Sequence, residues 1–208
     1  MMAQSPSCWT VKNCSNAMLN IETLPLGPLQ ANCYIVSGDD PSSVVVIDPG
    51  DDVAVLRNSL HGRTVAGVLV THAHFDHILG LPACEGDPIY VHKADADAMT
   101  DPVLNCAHWG REPHIAANHT LSEGDKITLA GMQFTVMHTP GHTPGSVCFL
   151  CEDQLFSGDT LFAGGFGRTD LPGGNFGELR ESLHRLIAMD GNLRLRPGHG
   201  ESALLREL

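Results

Sequence analysis

The sequence lacks a long apolar run. No stretch of its 208 residues approaches the roughly 18 consecutive apolar residues that a membrane-spanning helix requires. Residues 1–17 contain no apolar segment of the kind found in secretory signals, and Lys12 is their one basic residue. We therefore expect no membrane anchor, a disordered extension over residues 1–17, and a single domain over residues 18–208.

Basic residues are also scarce. The 12 Lys and Arg are outnumbered by 24 Asp and Glu, which gives a formal net charge of −12. This charge would repel a nucleic-acid backbone or an anionic membrane, so a small-molecule substrate fits better than either. The 7 cysteines are odd in number and scattered along the chain. They therefore argue against a secreted disulfide framework and favour a cytoplasmic protein, and none is expected to act as a nucleophile.

Short runs rich in β-branched residues are separated by helical segments, which indicates an α/β fold. Val53, Leu56 and Leu60 have helical spacing, and a second helix is predicted after Asn175, which with Glu178 resembles a capping box. Residues 100–119 lack clean periodicity and are predicted to form a loop, either over the active site or elsewhere on the surface. We predict strands over residues 31–36, 43–50, 66–72, 88–92, 126–129, 132–141, 146–152, 154–159 and 193–199.

The segment THAHFDHILG at 71–80 carries the strongest chemical signal, because the apolar run AGVLV leads directly into three histidines and an aspartate. Burying such groups at the end of a core strand is costly unless a cation compensates them. His72 and His74 alternate by two and lie on one side of an extended segment, whereas Asp76 and His77 follow where the chain turns toward a helix. The segment therefore predicts a metal site and can supply two adjacent metals.

Three further candidate ligands each follow an apolar run. They are His142 in HTPGHTPGS, Asp159 in LFSGDTLF and His199 in LRLRPGHG. Glycines beside them allow a close backbone approach. The TPGH context favours His142 over the nearby His138, and the remaining histidines are expected on the surface or in hydrogen-bonded core positions.

Taken in order, HxHxDH, TPGHTPGS, SGDTLF and a late PGHG resemble the pattern of the metallo-β-lactamase superfamily, from Leu19 to His199. The segments PLGPLQANCYIV, VVIDPGDD and LFAGGFGRTDLPGGN are most similar to the short type II glyoxalase branch, the hydroxyacylglutathione hydrolase-like proteins. The resemblance implies a single-domain αββα sandwich. Two β-sheets would face each other with helices outside, and the metals would lie at one edge between the sheets.

The resemblance also implies a role for each candidate ligand. The first metal would be held by His72, His74 and His142, and the second by Asp76, His77 and His199. Asp159 would bridge both metals, and Asp76 and Asp159 are the candidate catalytic residues. Asp48 would orient a ligand; the alternative is a solvated turn aspartate before Pro49. The cofactors would be two divalent ions, with zinc expected and iron or manganese as alternatives.

The implied activity is metal-dependent hydrolysis of a thioester such as S-lactoylglutathione by a water activated by two metals. A thiolate has a pKa of about 8.5 and leaves without a strong general acid. The alternative is an iron-dependent persulfide dioxygenase, whose relatives share HxHxDH and a GRTD segment; another hydrolase of this fold, such as a phosphodiesterase, ranks lower. Lactam cleavage is not expected, because zinc β-lactamases commonly place a cysteine where this chain has Asp159.

Two further expectations concern the substrate. Full-length type II glyoxalases continue into a helical domain that contacts glutathione, whereas this sequence ends at Leu208. The resemblance therefore does not specify which thiol forms the second half of the thioester. The glycine-rich stretch at 164–174 lacks the Lys-Ser/Thr pattern of a phosphate loop. We expect its Arg168 and Asp170 to form an ion pair that stiffens the loop beside Asp159, and not to contact substrate.

Overall fold

Two six-stranded β-sheets face each other in the computed structural model of this chain, and helices lie on their outer faces. The structure describes residues 19–107 and 113–208. The predicted extension over residues 1–17 and His108 lie outside the described residues. The arrangement is the αββα sandwich that the sequence predicts.

The first sheet is antiparallel at one side and parallel at the other. β1 to β3 pair antiparallel, whereas β3 to β6 pair parallel, with helix α1 (Val53–Ser59) connecting β3 to β4. The carboxyl ends of β3, β4 and β5 therefore meet at one edge. Across the sheet the strands are β1 (Asn20–Leu26), β2 (Ala31–Ser37), β3 (Ser43–Ile47), β4 (Thr64–Leu69), β5 (Ile89–His92) and β6 (His119–Leu121).

The second sheet has the order β14-β13-β10-β9-β8-β7, in which only β10 and β13 pair parallel. Helix α3 (Phe176–Ile187) makes that crossover, and the short helix α2 (Phe75–Ile78) follows β4. A small hairpin, β11 (Leu161–Phe162) and β12 (Gly165–Phe166), follows β10. The sheet strands are β7 (Lys126–Leu129), β8 (Met132–His138), β9 (Val147–Cys151), β10 (Gln154–Gly158), β13 (Arg194–Pro197) and β14 (Ala203–Leu204).

Alternation along the strands divides the apolar residues among three packed layers. Ile47 points between the sheets and packs in one cluster with Phe149 and Phe156. The neighbouring Val46 points outward, into a cluster that includes Leu56 of α1. Leu155 points to the opposite outer face, in the cluster that contains Leu186 of α3. The period of two along each strand thus builds one central and two outer apolar layers.

All nine predicted strands coincide with observed strands, and both predicted helices are present. Several predicted strands extend too far, because β4 ends at Leu69 and β10 ends at Gly158. The candidate ligands consequently lie in the connections just beyond the strands. β1 was not predicted, because it is a half-exposed edge strand that contains Pro25 and pairs only with β2. In the described ranges, no helix has the length and apolar character needed to cross a membrane.

Candidate metal centre

The candidate ligands gather at one edge of the sandwich although they come from four distant segments. The connection after β4 supplies residues 72–77, and the connection between β8 and β9 supplies His142. Asp159 follows β10 and His199 follows β13. Because these connections reach the same edge, the structure brings together all seven residues that the sequence singles out.

The first triad consists of His72, His74 and His142, and all three side chains are buried. Each offers one ligand atom, and these atoms lie within 4.8 Å of one another. Nδ1 of His74 is 2.8 Å from Nε2 of His142, and the ring centroids of His72 and His142 are 4.8 Å apart. Three imidazoles at this spacing form the kind of nitrogen-rich cluster that binds zinc or iron.

The second triad consists of Asp76, His77 and His199, whose ligand atoms also lie within 4.8 Å of one another. Nε2 of His199 is 3.2 Å from Oδ2 of Asp76, and Nε2 of His77 is 3.8 Å from the same oxygen. His77 is fully buried, whereas the side chain of His199 is 28% exposed. This triad therefore combines a carboxylate with two imidazoles and borders solvent.

Asp159 lies between the two triads. Its Oδ2 is 3.6 Å from Nε2 of His142 and 3.6 Å from Nε2 of His199, and its Oδ1 is 3.4 Å from Nε2 of His77. A carboxylate with one oxygen near both groups has the position that a bridging ligand needs. The placement agrees with the bridging role that the sequence resemblance implies.

Several buried polar atoms at this edge have no hydrogen-bond partner within the described ranges. They are Nε2 of His72, His74 and His77 and Oδ1 of Asp159. Leaving one such atom unsatisfied costs about 1–3 kcal/mol, so their concentration here needs an explanation beyond folding. Lone pairs of imidazole nitrogen and carboxylate oxygen are the donors that divalent zinc and iron accept. The residues present therefore fit a metal-binding centre.

The other ring nitrogen of three histidines donates a hydrogen bond away from the centre. Nδ1 of His142 donates to the carbonyl of Arg168 at 2.7 Å, and Nδ1 of His199 donates to the carbonyl of Leu29 at 3.1 Å. Nδ1 of His77 donates to Oδ2 of Asp48 at 3.0 Å. Such bonds fix the ring orientation and leave Nε2 directed at the centre.

Asp48 is buried and does not behave as a solvated turn residue. Its carboxylate accepts hydrogen bonds from the backbone N–H and the hydroxyl of Thr71, both at 2.7 Å, in addition to the bond from His77. Its backbone has a φ of 50°, a conformation uncommon for a residue with a side chain. Three hydrogen bonds use most of its acceptor capacity, so its geometry suits the orienting role that the resemblance implies.

Asp95 is a positioning residue that sequence reasoning missed. It is 1% exposed, and it accepts bonds from the backbone N–H of Ala73 at 3.0 Å, the hydroxyl of Thr143 at 2.8 Å and the N–H of Gly145 at 2.6 Å. Burial raises the pKa of its carboxyl even though these bonds oppose the rise. Asp95 thereby ties the segment that carries His72 and His74 to the connection that carries His142. Its only sequence signal is a polar residue soon after a buried strand.

The two triads differ in their protonation. Burial is the main cause that lowers the pKa of His72 well below its usual range, and repulsion from His77 is the second cause. Burial and, to a smaller extent, repulsion from His142 lower the pKa of His74 to about 3. Burial also acts to lower the pKa of His77, but Asp76, Asp159 and Asp48 outweigh it and raise the pKa to about 10. The hydrogen bond to Asp76 and the charge of Asp159 likewise overcome burial and raise the pKa of His199. His72 and His74 of the first triad are thus neutral, whereas His77 of the second carries a proton that a metal would displace, and the pKa of His199 is raised in the same direction.

Glycine is required where backbone passes the centre. A Cβ at Gly198 would collide with Oδ1 of Asp159 and with the ring of His77, and a Cβ at Gly167 would collide with the backbone oxygen of Asp159. The close approach at Gly198 accounts for the glycine that precedes His199 in the sequence.

Arg168 and Asp170 form the predicted ion pair. Nε and Nη2 of Arg168 donate to the two carboxylate oxygens of Asp170, each at 2.7 Å, and both side chains are exposed. Because the backbone carbonyl of Arg168 accepts the bond from His142, this pair lies in a loop that contacts the centre.

The remaining histidines and the cysteines lie outside both triads wherever the structure describes them. His138 stacks on the buried His92, with ring centroids 4.0 Å apart, and its Nε2 donates to the carbonyl of Pro144. The described cysteines are buried free thiols, and burial raises the pKa of Cys148 and Cys151 to about 12. Burial and a raised pKa disfavour a nucleophilic role for Cys148 and Cys151.

Part of the segment 100–119 does border the centre. The carbonyl of Asn105 accepts a bond from the N–H of Phe75 at 2.9 Å, and Ala107 shares a cavity with Asp76. Residues 108–112 of this predicted loop lie outside the described residues, and β6 occupies its end.

Comparisons with known proteins yield matches over most of the chain. A family model described as the metallo-beta-lactamase superfamily matches residues 26–199. The hydroxyacylglutathione hydrolase GloC of Haemophilus influenzae is 30% identical over 194 residues, which cover 88% of this chain and 91% of that protein.

Two solved structures share the fold at higher identity. BLEG-1, described as a B3 metallo-beta-lactamase, is 36% identical, with a TM-score of 0.84 over 91% of this chain and 95% of that one. TTHA1623, solved in a di-iron-bound form, is also 36% identical, with a TM-score of 0.76 over 89% of this chain and 96% of that one.

Proposed function

Because the chain belongs to the metallo-beta-lactamase superfamily, we propose that it is a metal-dependent hydrolase with a two-metal centre and a small-molecule thioester as its substrate. The observation that carries this proposal is the convergence of two triads on Asp159, together with buried ring nitrogens that have no partner in the described part of the chain.

In this proposal each triad holds one divalent ion. The first triad would hold one ion and the second triad the other, and Asp159 would contact both. A pair of divalent ions supplies an activated water and polarises the carbonyl that this water attacks. The assignment of zinc follows from the imidazole-rich donor set, and the di-iron-bound form of TTHA1623 supports iron as the alternative.

The side chains of this protein would serve to hold that centre rigid. Asp48 fixes the ring of His77, and the carbonyl of Arg168 fixes the ring of His142. Asp95 keeps the segments carrying the first triad together. Because these contacts are made within the protein, they hold the donors in place, and little reorganisation is needed during reaction.

Hydrolysis of a thioester requires no general acid from the protein in addition to this metal centre. Hydrolysis breaks the carbon–sulfur bond, forms a carbon–oxygen bond with water, and yields a carboxylic acid and a thiol. The thiol has a pKa of about 8.5, so sulfur departs as a thiolate without prior protonation. The similarity to GloC, whose name describes hydrolysis of a hydroxyacylglutathione, supports the same class for this chain.

The test is hydrolysis of S-lactoylglutathione by purified protein of known metal content, followed as loss of the thioester absorbance. We expect turnover that depends on the metal and disappears in His74→Ala. Absence of turnover with two zinc ions bound, for this and for uncharged acyl thioesters, would contradict the proposal.

Two competing activities can be assayed with the same purified protein. The similarity to BLEG-1 makes hydrolysis of a chromogenic cephalosporin the necessary control, and we expect it to be far slower than thioester hydrolysis. The persulfide dioxygenase alternative requires an iron-loaded control, and the di-iron-bound form of TTHA1623 shows that a relative of this fold binds iron. Oxygen consumption with glutathione persulfide by the iron-loaded protein would support that alternative, and its absence would remove it.

A further inference from the structure

A cavity of about 230 Å³ opens directly beside the second triad. One wall is the turn between β1 and β2, residues 26–29, and the opposite wall contains Phe75 and Leu79 from around α2. Ala107 closes one side, and Asp76 forms the part nearest the candidate metal centre. The cavity is therefore an extension of the site described above and not a separate pocket.

The turn that forms this wall is also linked to the centre. The carbonyl of Leu29 accepts the hydrogen bond from Nδ1 of His199, whose Nε2 lies 3.2 Å from Oδ2 of Asp76. Asn32, just beyond the turn, donates to the carbonyls of Pro197 and Gly200, one on each side of His199. The cavity wall and the second triad are thus held in one fixed arrangement, so a substrate bound at the centre has this wall within reach.

The residues that line the cavity determine which chemical group of a substrate can bind there. Its described lining is aliphatic or aromatic except for the acids Asp51 and Asp76, and it includes no lysine or arginine. A carboxylate of glutathione would find no cationic partner on this lining and would meet two acidic residues. An alkyl chain would replace water against Leu26, Leu29 and Leu79.

We infer that this cavity binds the acyl chain of the substrate, and that the enzyme prefers thioesters of unbranched aliphatic acids over those of small hydroxy acids. The inference rests on the proposed thioester hydrolysis and names its substrate class. The thiol half then lies outside this cavity.

The expected effect follows from the free energy of burying methylene groups. Each methylene transferred from water into the cavity is worth about 0.8 kcal/mol, which corresponds to about a fourfold gain in kcat/KM. The gain should appear mainly as a lower KM, because the chain is bound equally in the ground state and the transition state. It should cease once the chain fills the cavity.

The experiment compares acetyl, butyryl, hexanoyl and lactoyl thioesters of one small uncharged thiol, N-acetylcysteamine, with zinc-loaded wild-type protein. We expect kcat/KM to rise from acetyl to hexanoyl and to be lowest for lactoyl. Leu29 is 50% exposed, so Leu29→Asp can be made without disturbing the core, and it should reduce the hexanoyl-to-acetyl ratio at least tenfold, or about 1.4 kcal/mol. The matched control is Ile187→Asp, which places the same charge on an exposed apolar position of α3 and should leave the ratio unchanged.

A second measurement separates this inference from the proposed function. Binding of acetate, butyrate and hexanoate to the zinc-loaded protein, followed by calorimetry, should tighten with chain length in the wild type and not in Leu29→Asp. If thioesters are hydrolysed at rates independent of acyl length, the acyl cavity is wrong while the hydrolase stands. If no thioester is hydrolysed, the proposed function fails, and the carboxylate series alone supports or overturns the cavity.

Discussion

The two triads of the candidate metal centre differ in charge and in access to solvent. The first triad contains three buried imidazoles and no carboxylate, and burial keeps His72 and His74 neutral. The second contains Asp76 and borders solvent, its His77 holds a proton, and the pKa of its His199 is raised. A metal therefore meets ready lone pairs at the first triad, whereas it must displace protons at the second. We therefore expect the two positions to fill in order, the first before the second.

The largest effect should come from the residue shared by both triads. Asp159→Ala removes the carboxylate that approaches His142, His77 and His199, so we expect loss of metal from both positions and hydrolysis at background level. His74→Ala should empty the first position and also abolish turnover. Metal content by mass spectrometry and thioester hydrolysis check both variants. Either variant retaining full metal occupancy together with turnover would refute the ligand assignment.

A change at Asp48 should distinguish the triads, because this residue contacts His77. Asp48→Asn keeps the shape of the side chain but removes an acceptor, and we expect the second metal to bind about 10- to 100-fold more weakly. Metal titration against a chromophoric chelator measures this. The control is Asp39→Asn, an exposed aspartate, which should match the wild type. If Asp48→Asn weakened metal binding equally at both positions, the proposed role of Asp48 at the second triad alone would be wrong.

The pH dependence of metal binding should also differ between the positions. Since the pKa of His77 is raised to about 10, this ring is protonated at neutral pH, and its proton must leave when a metal binds. Lowering the pH makes that release harder, so affinity at the second position should fall about tenfold per pH unit for each proton displaced. Burial has already lowered the pKa of His72 and His74, so the first position should change little between about pH 6 and 8. Metal affinity is measured at each position by chelator titrations at several pH values. An equal change of affinity with pH at both positions would contradict this account.

A smaller effect, on stability alone, is expected at the start of α3. The side chain of Asn175 accepts hydrogen bonds from the N–H groups of Gly177 and Glu178, at 2.9 and 3.2 Å. Asn175→Ala should lower the free energy of unfolding by about 1 kcal/mol, measured by urea denaturation. Metal content should remain that of the wild type, and loss of one metal would show that α3 positions a triad.

The smallest effect is expected at the exposed ion pair. His142 contacts the backbone carbonyl of Arg168, so Arg168→Ala leaves that hydrogen bond in place and removes only the pair with Asp170. Exposed ion pairs contribute little, and we expect thioester kinetics and metal content equal to the wild type. A large rise in KM would instead assign the Arg168 side chain to substrate binding.

The sequence predicts the candidate ligands because each follows a recognisable apolar strand, and their division between two metal positions comes from the family resemblance. His72 and His74 follow β4, Asp159 follows β10 and His199 follows β13. Parallel or adjacent strands that end at one edge bring such residues together, so local patterns were sufficient to find them.

The contacts that support the triads could not be predicted in the same way. Asp95 binds the N–H groups of Ala73 and Gly145, and a backbone N–H leaves no trace in the residue pattern. The N-cap of α3 was predicted correctly, but the reciprocal half of the capping box is not seen. The N–H of Asn175 donates to the carbonyl of Gly141 at 2.8 Å, and this tertiary contact links the helix to the segment of His142.

The most direct test of the two-metal centre is a crystal structure of the zinc-loaded protein with anomalous scattering recorded at the zinc edge. The account predicts two peaks, one among His72, His74 and His142 and one among Asp76, His77 and His199, with Asp159 in contact with both. A single peak, or peaks away from these residues, would contradict it.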